Sequence, residues 1–356
     1  MQQSPRHLEV CSDEAVYEIE FTQIQIEITG RCNLRCRHCR ASNQAQSDMP
    51  IEQIEKIALF AAAHGSREVV VSGGEPLLHR EFPAVLRRIK SAGMSYLTLT
   101  TNGYLLSKER LRTIMDSGFT GTTLSVSIDS HDPAYHDMIR GRVGAFDRAV
   151  AALRVIDESH GGCVVGSVRA TVGPEQIDDM DRLVECVVSL GCRRVGFSSV
   201  LPAGRALGLV SLSMTKTQKR RFLEKIEVLS ARFPDVDIGT NDPLACLVSP
   251  RTADPVTSGE LVFNGCGAAA TTFNVNADGT MTPCAMLDLP IMNVFPLSVS
   301  EIADRYSESQ IVKDMLGLRL KGKCGSCGKK YQCGGCRARA FAASGDHLSE
   351  DPDCWL

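Results

Sequence analysis

From residue 24 to about 235 the chain alternates between two kinds of segment, and this alternation constrains its fold more than any other feature. Short β-branched runs recur as IQIEIT (24–29), REVVVS (67–72), YLTLTT (96–101), TTLSVSI (122–128), VVGSVRATV (164–172) and RRVGFSSV (193–200). Between them, over 51–63, 82–93, 111–118, 146–158 and 177–191, apolar residues return at spacings of three and four. Such repetition specifies βαβ units and a parallel sheet. Right-handed crossovers curl successive units the same way. Six strands fall short of an eight-unit barrel, so the expected class is α/β, a partial (βα)6 TIM-type barrel over 22–236, closed by a helix at 215–232. Residues 1–21 read as an N-terminal extension. After 236 the chain turns rich in Pro, Ser and Asp, then in Cys and Gly. Residues 237–356 therefore read as a small, loop-rich domain with little apolar core of its own, for which metal sites would supply cohesion.

The net charge of −3 argues against a nucleic-acid binder held by bulk positive charge. No apolar run reaches the ~18–20 residues of a membrane span. The N-terminus has no apolar signal-peptide core, so a cytoplasmic location is expected.

Fifteen cysteines are many for such a chain. In a long chain without an export signal, cysteines more often bind metal or do chemistry than form staples. Three fall within 32–39 and four within 324–336. Cys11, Cys163, Cys186 and Cys192 are scattered and read as small buried hydrophobes. Cys32, Cys36 and Cys39 follow the first strand with spacing C-x3-C-x2-C. Three thiolates on one tight loop can ligate three irons of a cubane and leave the fourth open to a chelating amino acid. A three-cysteine zinc site or a labile disulfide is the alternative. Ser72-Gly73-Gly74-Glu75-Pro76 ends the second strand. Its glycines allow close backbone approach to a ligand, and Glu75 could accept hydrogen bonds from an ammonium group. An ordinary strand-to-helix turn is the plain alternative.

Together, in this order and spacing, CNLRCRHC and SGGEP resemble the radical S-adenosylmethionine (SAM) superfamily. The resemblance implies a [4Fe–4S] cluster on Cys32, Cys36 and Cys39 that reductively cleaves SAM to a 5′-deoxyadenosyl radical, with Gly73, Gly74 and Glu75 at the methionine end. It extends to TTNG (100–103) and SIDS (127–130). By resemblance Ser127 and Asp129 hold the ribose, Arg169 meets the SAM carboxylate, and adenine rests on backbone near Val195–Phe197. The plain readings make Asp129 a turn cap and Arg169 a structural ion-pair residue. His38 stands where the superfamily often has an aromatic residue, and can still stack beside adenine.

The C-terminal array runs Cys266-x12-Gly279-x4-Cys284, then Cys324-x2-Cys327-x5-Cys333-x2-Cys336, then Cys354. Alone, its paired C-x2-C units would read as a zinc ribbon. Attached to these motifs, the array resembles the SPASM extension, which binds one or two auxiliary Fe–S clusters. The last central spacing is two residues where many members have three. Carried over, Cys324, Cys327, Cys333 and Cys354 would hold an outer cluster, and Cys266, Cys284 and Cys336 an inner one. Cys246 would complete the inner set, serve as a hydrogen-atom donor, or be a buried thiol. The resemblance implies an oxidoreductase or maturase acting on a peptide or cofactor precursor, or on a haem-like or other small molecule; a non-catalytic Fe–S or zinc protein is the third reading. The implied partners are an electron donor such as flavodoxin or ferredoxin and, for a peptide, a separate leader-docking protein, since about 22 residues before the barrel leave no room for a winged-helix module.

Overall fold

The computed structural model describes residues 7–41, 46–159, 164–249 and 265–356; Cys163 lies outside them. The strands are β1 (Leu8–Cys11), β2 (Val16–Ile19), β3 (Gln23–Thr29), β4 (Glu68–Gly73), β5 (Tyr96–Thr101), β6 (Gly121–Ser127), β7 (Val164–Val172), β8 (Arg194–Ser199), β9 (Asp237–Thr240), β10 (Asn274–Val275), β11 (Thr280–Thr282) and β12 (Met292–Asn293). β1 and β2 pair as a separate hairpin. The other ten share one sheet in the order β12-β11-β10-β3-β4-β5-β6-β7-β8-β9. The six expected strands are β3–β8, parallel throughout and each within a residue of its sequence range. Two more parallel strands flank them: β9 on β8 and β10 on β3. Among the described residues the sheet does not close on itself.

An α/β sheet covered on both faces usually reads as continuous apolar runs. Here the strands alternate, because the two faces differ. Ile24, Ile26, Ile28, Val69, Val71, Leu97, Leu99, Leu124 and Val126 are at most 1% exposed. They pack in one core with Ile54, Ile57 and Phe60 of helix Ile51–Ala63 and Val85, Leu86 and Ile89 of helix Phe82–Ser91. The opposite face carries Gln25, Thr98, Thr100, Thr123, Ser125, Ser127 and Arg169, all only partly buried. Its side chains bond across strands, as from Gln25 Nε2 to Ser72 Oγ at 2.7 Å. The concave side is thus a polar groove, unlike the packed interior of a complete barrel.

One helix of the barrel has no counterpart in the sequence reading. Pro133–Arg140 begins where the Asp132 carboxylate accepts from Ala134 N–H at 2.9 Å, and ends at Gly141 in the left-handed region. Its buried face is made by His136, Ile139 and Arg140, so no apolar stripe marks it in the sequence. The C-terminal part is built from β10–β12 and short helices, the longest Val299–Glu308. Its apolar residues join the barrel's core: Phe273 and Tyr306 meet Phe21 edge-on at centroid distances of 4.8 and 5.5 Å. A buried ionic network joins the same parts. Lys219 Nζ lies 3.0 Å from Asp242, and Arg339 bridges Asp242 and Asp351 at 2.7 Å each. Of the scattered thiols, Cys192 is buried, Cys186 half-buried and Cys11 exposed. Cys11 corrects the expectation: it ends a strand whose alternate residues face outward. No helix among the described residues is long and apolar enough to cross a membrane.

Candidate active site

The first cysteine loop leaves the carboxyl end of β3, the rim where α/β barrels place chemistry. Backbone from three other loops holds it. Gly74 N–H donates to Thr29 O at 2.7 Å and Glu75 N–H to Arg31 O at 2.8 Å. Arg37 N–H donates to Ile139 O at 2.8 Å, and Arg205 N–H to Cys39 O at 2.9 Å. The contacts leave no room for side chains: a Cβ on Gly74 would overlap the Arg31 carbonyl, and one on Gly204 the Cys39 carbonyl. Gly204 also needs φ of +54°. Burial pushes the Cys32 thiol up to about 11, with Glu75, Cys36 and Cys39 adding to the rise. Burial likewise raises Cys36, against the pull of Arg140. A cationic metal centre reverses that tendency, since coordinated thiols bind deprotonated.

Glu75 is fully buried, and its carboxylate is spanned by the TTNG segment. Oε1 accepts from Thr101 Oγ1 at 2.7 Å and Leu77 N–H at 3.2 Å; Oε2 accepts from Asn102 N–H at 2.8 Å. Burial nonetheless raises its pKa. Asn102 Nδ2 reaches on to Asn33 Oδ1 at 2.8 Å, inside the cysteine loop. Glu75 therefore ties the β4 and β5 ends to that loop.

Asp129 has a comparable setting on the next rim segment. It pairs with Arg140, Oδ2 to Nε at 2.7 Å and Oδ1 to Nη2 at 2.8 Å, and Oδ1 accepts from Thr171 N–H at 2.9 Å. Burial, the largest single influence, opposes ionisation, but Arg140, His38, His136 and the Thr171 N–H together outweigh it and the carboxyl sits below its usual range. Arg140 Nη1 lies 3.9 Å from Cys36 Sγ. His38 Nε2 is 3.9 Å from Asp129 Oδ2, and burial lowers its pKa to about 4, so the ring is neutral. Sequence reasoning missed Arg140, whose only signal was a basic residue just before the helix-ending Gly141.

Ser127, Arg169, Gly196 and Gly239 lie side by side in register across β6–β9. Arg169 donates from Nη2 to Ser198 Oγ at 2.6 Å. No carboxylate pairs with it among the described residues, and burial lowers its pKa. Even a half-buried cation without an anion carries a desolvation cost. The Arg169 side chain covers Gly196, where a Cβ would meet Nη1 at 3.2 Å, whereas a Cβ on Gly239, one strand further, would meet nothing within 4 Å. Glu27 is a second residue the sequence reading passed over. It is fully buried on β3, pairs with Arg40, and leaves Oε2 without a hydrogen-bond partner.

The C-terminal thiols fall into two groups. Burial pushes Cys284 up to about 12, with Cys266 and Cys336 as its charged neighbours. Cys336 N–H donates to Asp351 Oδ2 at 2.7 Å, and Asp351 is gripped by Arg339. Cys324, Cys327, Cys333 and Cys354 line one cavity of about 260 Å3. The structure places Cys246 with this second group: it hydrogen-bonds Cys333, which raises the Cys333 pKa and lowers its own, and Cys327 and Cys354 lie nearby. Among the described residues no three His, Cys, Asp or Glu side chains converge to hold a single metal ion. A cubane spreads its thiolate ligands over separate irons instead of converging them on one ion.

Residues 26–187 match the Radical SAM superfamily. This chain contains a radical SAM domain. That domain implies a [4Fe–4S] cluster and SAM. The chain is 28% identical over 345 residues to an AdoMet-dependent heme synthase of Methanosarcina barkeri, covering 92% of this chain and 94% of the relative. It is 27% identical over 347 residues to a PqqA peptide cyclase of Methylocella silvestris, covering 93% and 86%. Among solved structures, Streptococcus suis SuiB bound to S-adenosylmethionine superposes with a TM-score of 0.77 at 19% identity, over 95% of this chain and 78% of that one. The likeness to SuiB is one of fold. The radical SAM domain and these named enzyme relatives make the chain a radical SAM enzyme.

Proposed function

We propose that this enzyme oxidatively modifies a peptide or cofactor precursor, starting from hydrogen abstraction and using auxiliary clusters in its C-terminal part. The observation that carries the reading is the separation of the C-terminal thiols into two groups, one of them lining a cavity beside a polar barrel. When bound, the cluster on Cys32, Cys36 and Cys39 and SAM supply the 5′-deoxyadenosyl radical. The chain's own residues position the reactants. Gly73 and Gly74 let the β4 rim lie flat against the cysteine loop, and Glu75 fixes that rim to Thr101 and Asn102. Arg169, half-buried and without a carboxylate partner among the described residues, would receive the SAM carboxylate. Ser127 would flank the ribose, while Asp129 would act indirectly, by holding Arg140 against the cysteine loop. The open floor at Gly239 would leave room for adenine near Val195–Phe197, with the neutral His38 ring at its side.

Cys324, Cys327, Cys333 and Cys354 would hold the outer auxiliary cluster, and Cys266, Cys284 and Cys336 the inner one. Cys246 lies beside the outer set. Its hydrogen bond to Cys333 favours a role there over completing the inner set. In this reading residues 22–236 generate the radical, 237–356 carry the auxiliary clusters, and the enzyme works in the cytoplasm. Its partners are an electron donor such as flavodoxin or ferredoxin and, for a peptide substrate, a separate docking protein.

A haem-like substrate is the second reading, favoured by the heme synthase relative, which this chain matches over 94% of its length. The test of auxiliary clusters is iron content after anaerobic reconstitution. With Cys32, Cys36 and Cys39 all replaced by Ala, roughly 4–8 irons with matching sulfide should remain, as one or two auxiliary clusters require. A variant without iron, or with stoichiometric zinc, would overturn the proposal. Turnover of peptide libraries against tetrapyrrole precursors then separates the two substrate classes.

A further inference from the structure

The outer cavity has a rim of lysines as well as a wall of cysteines. Lys216, Lys323, Lys329 and Lys330 all line it, together with Leu244, Leu247 and Leu356. These lysines come from two separate parts of the chain, so the patch is a product of folding and not of a basic sequence run. Among the described residues none of the four pairs with an Asp or Glu side chain; Lys323 Nζ donates to Leu356 O at 3.2 Å, and Lys330 Nζ lies 5.8 Å from the Tyr331 ring centroid. Glu350 and Asp351 line the same cavity; Glu350 accepts from the Lys323 backbone N–H at 3.0 Å and Asp351 from Arg339 at 2.7 Å. Lys216 stands at the first position of helix Lys216–Arg232, whose first turn contains no acidic residue. A cation there opposes the helix dipole, a cost that helix stability does not explain. Tyr331, 57% exposed, and Leu356, 56% exposed, lie beside the lysines. The chain as a whole is acidic, at −3. A local cationic ring around an apolar, cysteine-lined opening is therefore a departure from its overall charge.

We propose that this face docks a flavodoxin-type carrier: a protein whose apolar flavin edge is exposed within a ring of carboxylates. The charge complement steers and orients such a partner. The exposed apolar side chains of Tyr331 and Leu356 beside these lysines suit a flavin edge better than a wholly polar contact would. The inference rests on the outer cysteines being a cluster site, since that gives a one-electron carrier a reason to dock there.

The test uses the anaerobically reconstituted full chain and oxidised, FMN-loaded flavodoxin as the probe. Affinity is read by titration at low and at physiological salt, beside the iron content of every sample. The parent should bind, and more weakly as salt rises through the range where the Debye length falls to ~8 Å. Lys216→Glu with Lys329→Glu should weaken binding by about tenfold or more at low salt, with iron content unchanged. Arg87→Glu with Lys108→Glu, exposed on the barrel helices, makes the same change in net charge away from the patch and should leave affinity as it was. Equal loss in both double variants, unchanged affinity in the patch variant, or binding of an acidic ferredoxin but not flavodoxin would overturn the proposal. Iron content reports separately on the cluster reading. If the C-terminal cysteines hold no iron while patch-dependent binding persists, the docking face stands and the reason for it falls.

Discussion

Replacing Asp129 by Asn should loosen the radical site through Arg140 and not through the ribose. Asp129 is 1% exposed and Arg140 7%, so the pair is desolvated. Asn keeps an oxygen that can accept from Thr171 N–H and Arg140 Nη2. Its amide nitrogen would face Arg140 Nε, setting donor against donor where the pair is now 2.7 Å apart. Breaking one partner of a buried ion pair costs ~3–5 kcal/mol because a charge is left uncompensated. The retained acceptor places this variant near the lower end, about 3 kcal/mol. Arg140 also touches Cys36 Sγ and, through its carbonyl, Arg35 N–H at 3.2 Å. Iron should thus be lost faster to a chelator. Thermal unfolding, chelator-driven iron release and SAM binding are measured together, anaerobically. The decisive sample is Asp129→Asn with Arg140→Met, which removes the stranded cation. If Asp129 acts through Arg140, the double variant regains most of the lost stability. Wild-type stability and iron retention in Asp129→Asn, with SAM affinity alone reduced, would refute this reasoning and return Asp129 to the ribose.

The remaining expectations concern other parts of the molecule. Arg169→Met should leave the melting temperature equal or higher, since it removes a half-buried cation that no carboxylate pairs with among the described residues, while SAM binding falls tenfold or more as a charge-assisted contact worth ~1.5–3 kcal/mol is lost; lowered stability with unchanged SAM affinity would contradict it. Gly204→Ala combines φ of +54° with overlap on the Cys39 carbonyl, so destabilisation of ~1–2 kcal/mol and poorer retention of the loop's iron are expected on chelator challenge. Burial opposes ionisation of Asp242, but Arg339 and Lys219 hold its pKa below the ordinary 3.8. Its stabilising contribution is then complete above pH 3.8 and declines as pH falls toward the folded-state pKa. The melting-temperature gap between parent and Asp242→Asn should be constant from pH 7 to about 4 and narrow only below that; a gap that shrinks near neutrality would show that another group controls it.

The barrel was legible because its strands are half-buried in a specific way. In β3, Ile24, Ile26 and Ile28 meet helices while Gln25, Glu27 and Thr29 line the groove, and that alternation reads as a strand without any structure. Length and β-branching did the same for YLTLTT. β9 and β10 were not legible, because strands of four and two residues carry no period. Phe273 and Tyr306 show why the C-terminal part looked coreless: its few large apolar residues are spread through a polar, cysteine-rich sequence and find their partners, Phe21 and Phe60, across the fold. At the site, cysteine spacing was informative because thiolate ligation restricts both residue type and separation. Arg140, Glu27 and the Lys216 side of the rim were invisible for the opposite reason. Each acts through a contact between segments far apart in the chain, and nothing local marks it. Glu75 was found by its motif, yet its engagement by Thr101 and Asn102 depends on how two loops meet.

The central claim is that Cys32, Cys36 and Cys39 form the radical-generating site, apart from the C-terminal thiols. The most direct measurement is release of 5′-deoxyadenosine from SAM under a strong reductant, in the anaerobic parent and in the variant with these three residues changed to Ala. The parent should release it slowly without substrate. The variant should release none while keeping the iron of the C-terminal part and a folded barrel by circular dichroism. Continued release by that variant would place the cleaving cluster elsewhere and contradict the account.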